Sequence, residues 1–171
     1  MKKILVSILF SVFTSVCVYA ETNIVIGKDT KVFESAVAKD EYAAVNQNDQ
    51  PVILVTGMAF PVKDQKAGWY VVEYSAGLRG MVMQNVVADN SVVKAPAAGT
   101  YKVANNPTET VTISNTGNDW TLKSGTKSFS GKGDGKAVIF TSADGNMKYS
   151  LTNISGKPAV FNYDNSVTKF F

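Results

Sequence analysis

From Gly99 onward the chain is cut at short intervals by "NTGN", "SGT", "GKGDG", "ADGN", "ISGK" and "NS". Glycine, asparagine and aspartate accept the positive φ of tight hairpin turns, so each cut reads as a chain reversal. The pieces between them are "TYKVA", "ETVTISN", "DWTLKS", "KSFSG", "KAVIFTS", "MKYSLTN", "PAVFNYD" and "VTKFF". They are rich in β-branched and aromatic residues and too short for stable helices. Sequential hairpins give an antiparallel up-and-down sheet, and this many strands close into a small barrel or fold into a sandwich. Closure has the advantage of hiding both edges. A barrel this small fills with side chains. Val111, Ile113, Trp120, Leu122, Ile139, Phe140, Tyr149, Leu151, Val160 and Phe161 are therefore expected as core.

The part before Gly99 is also read as β. Its best helical candidate, "ESAVAKDEYAAV" (34–45), lacks a sustained apolar stripe and reads as a loop or one helical turn. Small residues and one proline in "VKAPAA" mark residues 93–98 as a linker. The expected organisation is an all-β chain of two units, 22–92 and an antiparallel meander over 99–171, with one fused sandwich as the alternative.

Residues 1–20 stand apart. Lys2 and Lys3 precede an apolar run from Ile4 to Val18, and Val18-Tyr19-Ala20 ends on a small residue. This is the pattern of a signal peptide cleaved after Ala20, which implies a periplasmic or secreted protein. The run is short for a membrane span and carries Ser7, Ser11, Thr14 and Ser15, so no span is expected in the mature chain. Cys17 follows Val16, where a lipoprotein cysteine needs a very small neighbour, which argues against lipidation.

Composition removes several chemistries. The chain has no histidine, and its one cysteine lies in the leader. Ser/His/Asp and Cys/His nucleophiles are excluded, along with the common zinc sites. No catalytic residue, metal or cofactor is expected. Net charge is only +3, two of the lysines lie in the leader, and Arg79 is the sole arginine, so no nucleic-acid surface is expected. "GTKSFSGKGDGK" has the wrong spacing for a phosphate loop and puts Gly133 where Ser or Thr must stand. Ser124 to Lys127 fits S-x-x-K without the partner motifs such a hydrolase needs. Asp134 and Asp144 fall in separate turns and read as turn formers.

The most patterned stretch of the first unit is "GWYVVEYSAGLRGMVMQNVV", residues 68–87. Trp69, Val71 and Glu73 share one strand face and Tyr70, Val72 and Tyr74 the other. A turn at Ser75-Ala76-Gly77 follows, and Gly80 suggests a bulge or a tight barrel bend. Gly68, Trp69, Val72, Tyr74, Gly77, Gly80, Val82 and Val87 together resemble the bacterial SH3-like domain of cell-envelope proteins. The resemblance spans residues 28–90, with "KVFES" as opening strand and "PVILV" as central strand. Met81 stands where that family usually has an aromatic. The second unit is faintly similar to lipocalin-like barrels through "GTYKV" and its Trp-x-Leu strand.

The SH3-like resemblance implies a small N-terminal barrel and recognition of cell-wall peptides, or service as a targeting module beside a peptidase. The expected function is a non-enzymatic, exported envelope protein that binds a peptide, glycan or protein partner. Its expected site is Trp69, Tyr70, Tyr74 and Arg79, with loop residues Phe60 and Asp64 nearby. Two alternatives are a small-ligand carrier using the C-terminal barrel and a structural or inhibitory partner protein.

Overall fold

The computed structural model describes residues 22–75, 77–103, 106–143, 145, 147–162 and 168–170. The expected leader, Cys17, Ala76 of the expected turn and Asp144 lie outside them. The fold is all-β, with two single 3-10 turns at Asp40–Tyr42 and Gln84–Val86. The first of these is the one helical turn expected within residues 34–45. Among the described residues no helix is long and apolar enough to cross a membrane.

The first half contains β1 (Asn23–Val25), β2 (Thr30–Lys31), β3 (Ile53–Leu54), β4 (Ala59–Lys66), β5 (Trp69–Ser75) and β6 (Leu78–Met83). Four of them form a sheet in the order β1-β4-β5-β6, and β2 pairs with β3. Ile24, Phe60, Val72 and Val82 lie on one face of this sheet and are buried with Val32, Leu54 and Met58. Phe33, just after β2, bridges Met81 of β6 and also Ala43 beyond the first 3-10 turn.

Gly80 is explained by this packing and not by a bulge. A Cβ there would lie 2.2 Å from Val32 Cγ1, so β6 must be bare where the second sheet crosses it. The irregularity of the β5–β6 pair falls elsewhere, between Glu73 and Ser75.

The second half contains β7 (Gly99–Val103), β8 (Asn106–Thr116), β9 (Asp119–Ser124), β10 (Lys127–Gly133), β11 (Ala137–Thr141), β12 (Met147–Ile154), β13 (Lys157–Asn162) and β14 (Thr168–Phe170). Each pairs antiparallel with its sequence neighbour, and β14 meets β7 at Phe170 and Val103, so the eight strands close into a barrel. Of the two expected outcomes, barrel or sandwich, the barrel is realised. Alternation sends Val111 and Ile113, Leu122, Phe129, Val138 and Phe140, Tyr149 and Leu151, and Val160 inward. Phe129 meets Tyr149 edge-on at 5.0 Å. Tyr101 is buried with them and its hydroxyl donates to Ala97 O at 2.7 Å, and burial pushes its phenol up.

Two expected core residues point the other way. Ile139 and Phe161 are the immediate neighbours of the inward Phe140 and Val160, and strand alternation puts them outside the barrel. They are covered because the first half sits there. Phe161 is 1% exposed and joins the cluster of Ile24, Phe60 and Met58. Val25 and Ala59 bury Ala137, with Ile139, Val93 and Ile154 packed at the margin. Polar groups at the seam are matched as well. Thr152 Oγ1 donates to Gly57 O at 2.6 Å, and Ala59 N–H donates to Ser150 Oγ at 3.4 Å.

Residues read as a linker also engage the barrel. Val93 bridges Ile154, and Lys94 N–H donates to Asn153 O at 2.8 Å. At the opposite side of the seam the Asp134 carboxylate accepts the backbone N–H groups of Lys136 (2.9 Å) and Ala137 (3.0 Å). It also accepts that of Asn23 (3.0 Å) from the first half. The turn former is thus also a clamp on β1.

Candidate functional site

Strand alternation separates the six expected site residues. Tyr70, Val72 and Tyr74 turn toward the buried cluster, whereas Trp69, Val71 and Glu73 face outward opposite Met83, Met81 and Arg79. Trp69 is half-buried and packs edge-on against Phe33, with ring centres 5.7 Å apart and planes at 82°. Arg79 is exposed, its Nε 3.9 Å from Glu73 Oε2. Such a surface pair contributes at most about 1 kcal/mol. Tyr74 is half-buried, and its phenol is pushed up by burial and by the charge of Glu34.

Phe60 is a correction. It is expected on a loop beside the site. It lies in β4 and is 0% exposed, so it is a core residue. The strand tolerates Pro61 beside β1 because the neighbouring residue makes the hydrogen bond there. Val62 N–H donates to Thr22 O at 3.0 Å.

Tyr70 and Asp64 do come together. They line a groove of about 800 Å³ whose floor includes Ile24 and Val25 of β1. The β4–β5 pairing slips between Val62 and Asp64, and such a bulge re-aims the side chains around it. Lys63 and Asp64 both line the groove, and Asp64 Oδ1 accepts Gln65 N–H at 2.8 Å. The far wall carries Asp89 and Asn90, and Lys136 enters from the barrel. Asp89 accepts Ser91 N–H at 2.7 Å, and Ser91, through its backbone and then its side chain, holds the carboxyl below the ordinary carboxylate range. The groove therefore presents two lysines and two carboxylates around one phenol. Trp69 and Arg79 are not part of it.

Lys63, Asp89 and Lys136 were not singled out from the sequence. Asp89 sits in "ADNS" and Lys136 in "DGK", where turn chemistry accounts for the local pattern. Only the docking of the two halves brings Lys136 toward Tyr70. Among the described residues no group of three His, Cys, Asp or Glu is placed to hold a metal ion.

The structure thus defines an all-β protein in which a closed barrel docks against a small sheet assembly. No family model, curated protein or solved structure matches the chain.

Proposed function

We propose that this chain is a non-enzymatic binding or accessory protein of the bacterial cell envelope, exported through its leader to the periplasm or beyond. It takes a short peptide in the groove beside Tyr70. The observation that carries this reading is the groove's paired charge, Lys63 and Lys136 against Asp64 and Asp89, around a phenol and an apolar floor. A peptide bearing both a free amine and carboxylates complements that arrangement, as cell-wall stem peptides do. The likeness of residues 28–90 to SH3-like domains supports the same ligand class, with Tyr70 and Asp64 in place of the outward Trp69. The carrier alternative draws no support from a barrel interior occupied by Phe129, Phe140, Tyr149 and their neighbours.

Calorimetric titration with a soluble stem tetrapeptide containing a diamino acid tests the proposal. The double variant Tyr70→Ala/Asp64→Asn is expected to lose at least about tenfold in affinity, and Arg79→Ala to stay within about twofold. No binding by the wild-type protein, or an equal loss in Arg79→Ala, would refute the groove as the site.

A further inference from the structure

On the face of β5 and β6 turned away from the core, two methionines flank one indole. Met81 and Met83 stand two apart in β6, so both thioethers leave the same side of the sheet, from positions about 7 Å apart. Met83 is opposite Trp69, and Met81 is opposite Val71. The hydrogen bonds fix which of these pairs are close. Gln84 N–H donates to Gly68 O at 3.0 Å, so the alternate pairs of β5 and β6 are the bonded ones. Met81 instead bonds Phe33 on its other side, giving its N–H at 2.7 Å and accepting one at 3.0 Å. Trp69–Met83 and Val71–Met81 are thus non-hydrogen-bonded pairs, in which Cα atoms come to about 4.5 Å and side chains lie nearest.

Phe33 meets the Trp69 indole edge-on, a contact that covers at most one face of the indole. Trp69, Met81 and Met83 are half-buried, and Met83 also touches the margin of the core cluster. Neither of these two sulfurs has a hydrogen-bond partner among the described residues. Met58 differs, being 1% exposed with its Sδ accepting Val55 N–H at 3.1 Å. Glu73, on the same face of β5, is opposite Arg79 and pairs with it.

We infer that Met81, Met83 and Trp69 form a binding site for a soft monovalent metal ion, Cu(I) or its analogue Ag(I). Thioethers are soft donors and select Cu(I), whereas calcium and magnesium need oxygen ligands. They are also neutral. Desolvating a double charge costs more than a single one, and neutral donors offset neither, so the singly charged ion is favoured. An indole face adds attraction for a cation within about 6 Å of its centre. The chain has no histidine, and its one cysteine is in the leader, so no stronger soft ligand competes for the ion. The exclusion of common zinc sites does not extend to thioether ligands. The site lies across β5 from Tyr70 and shares no residue with the peptide groove.

In a Cys17→Ser/Trp120→Phe background the only thiol is gone and Trp69 is the sole indole. Titration of this protein with Ag(I) should change Trp69 emission to saturation at one ion per chain, and Mg(II) and Zn(II) should leave it unchanged. Competition against a chromophoric Cu(I) chelator, under anaerobic ascorbate, should show Cu(I) held at the same stoichiometry. Met81→Leu and Met83→Leu conserve volume and should each weaken binding at least about tenfold. Trp69→Phe, followed by the chelator, should weaken it about threefold. Met58→Leu removes a sulfur elsewhere and should stay within about twofold. If Met83→Leu does not fold, Met81→Leu decides alone, because Met81 lies outside the core cluster. No saturable response to Ag(I), full binding by the Met81 and Met83 variants, or an equal loss in Met58→Leu would overturn the inference.

Discussion

Phe161→Ala lowers the melting temperature by roughly 10 °C, a cost of about 3–5 kcal/mol, although Phe161 contributes nothing to the interior of its own barrel. Its ring is 1% exposed and belongs to the cluster of Ile24, Phe60, Val72 and Val82, all from the first half. The edge of the ring also lies against Gly57, where a Cβ would come within 3.2 Å of Phe161 Cε2. Gly57 has φ of +96°, a backbone that side chains rarely adopt, so the turn under Phe161 has little freedom to collapse into the space left. The cavity therefore stays open, which places the cost in the upper part of the range for a large-to-small change. Urea melts of the variant, followed by circular dichroism, measure it. A change below about 1 kcal/mol would mean that the seam contributes little to stability.

The second large effect is at Gly131. A Cβ built there would stand 2.5 Å from Ile139 O and 3.1 Å from Ile139 C, both backbone atoms of β11. Gly131→Ala therefore cannot be absorbed by a side-chain rotation. It has to move β11 away from β10, where Gly131 pairs with Phe140. The strand that moves is also the one packed on Val25 and Ala59 through Ala137. Overpacking of a core costs about 1–3 kcal/mol, and displacement of a paired strand carries Gly131→Ala to the top of that range or beyond. By contrast, Gly117 and Gly125 meet no atom within 4 Å, and their cost on substitution comes from positive φ alone. Thermal unfolding of Gly131→Ala beside Gly117→Ala separates the two mechanisms, with the larger loss expected at Gly131.

Much of this fold was legible in the sequence, for a definite physical reason. Hairpin turns need residues that accept positive φ, and Gly117, Gly125, Gly145 and Gly156 all adopt it. Turn chemistry therefore marks these reversals, and sequential reversals leave an up-and-down sheet as the simplest topology. The inward residues of the barrel follow from period-two alternation once the strands are placed.

The arrangement of the halves was less legible, and adjacent apolar pairs held the missing signal. Ile139 beside Phe140, and Val160 beside Phe161, cannot both enter one barrel, so "AVIF" and "AVF" mark strands covered on both faces. Which surface covers the outer face is long-range information. Nothing local joins Phe161 to Gly57, or Asp134 to Asn23.

The site was legible in the same partial way. Alternation in β5 correctly separated Trp69 from Tyr70 and Tyr74, but not which face would be core. Tyr70 and Asp64 meet in a groove only because of a bulge in β4 and the approach of Lys136 from the barrel. Phe60, expected on a loop, is a buried residue of β4.

The groove depends on the seam, because Lys136 completes it from the second half. The central claim is therefore that the two halves fold as one unit. The two tryptophans lie one in each half, Trp69 on β5 and Trp120 on β9. Trp120→Phe leaves a reporter on the first half, and Trp69→Phe leaves one on the second. Equilibrium urea unfolding of these two variants, read by tryptophan emission and by circular dichroism, tests the claim directly. Single transitions are predicted, in which emission and circular dichroism coincide within each variant and slopes agree between variants. Emission and circular dichroism transitions that separate, with one half unfolding while the other persists, would contradict it.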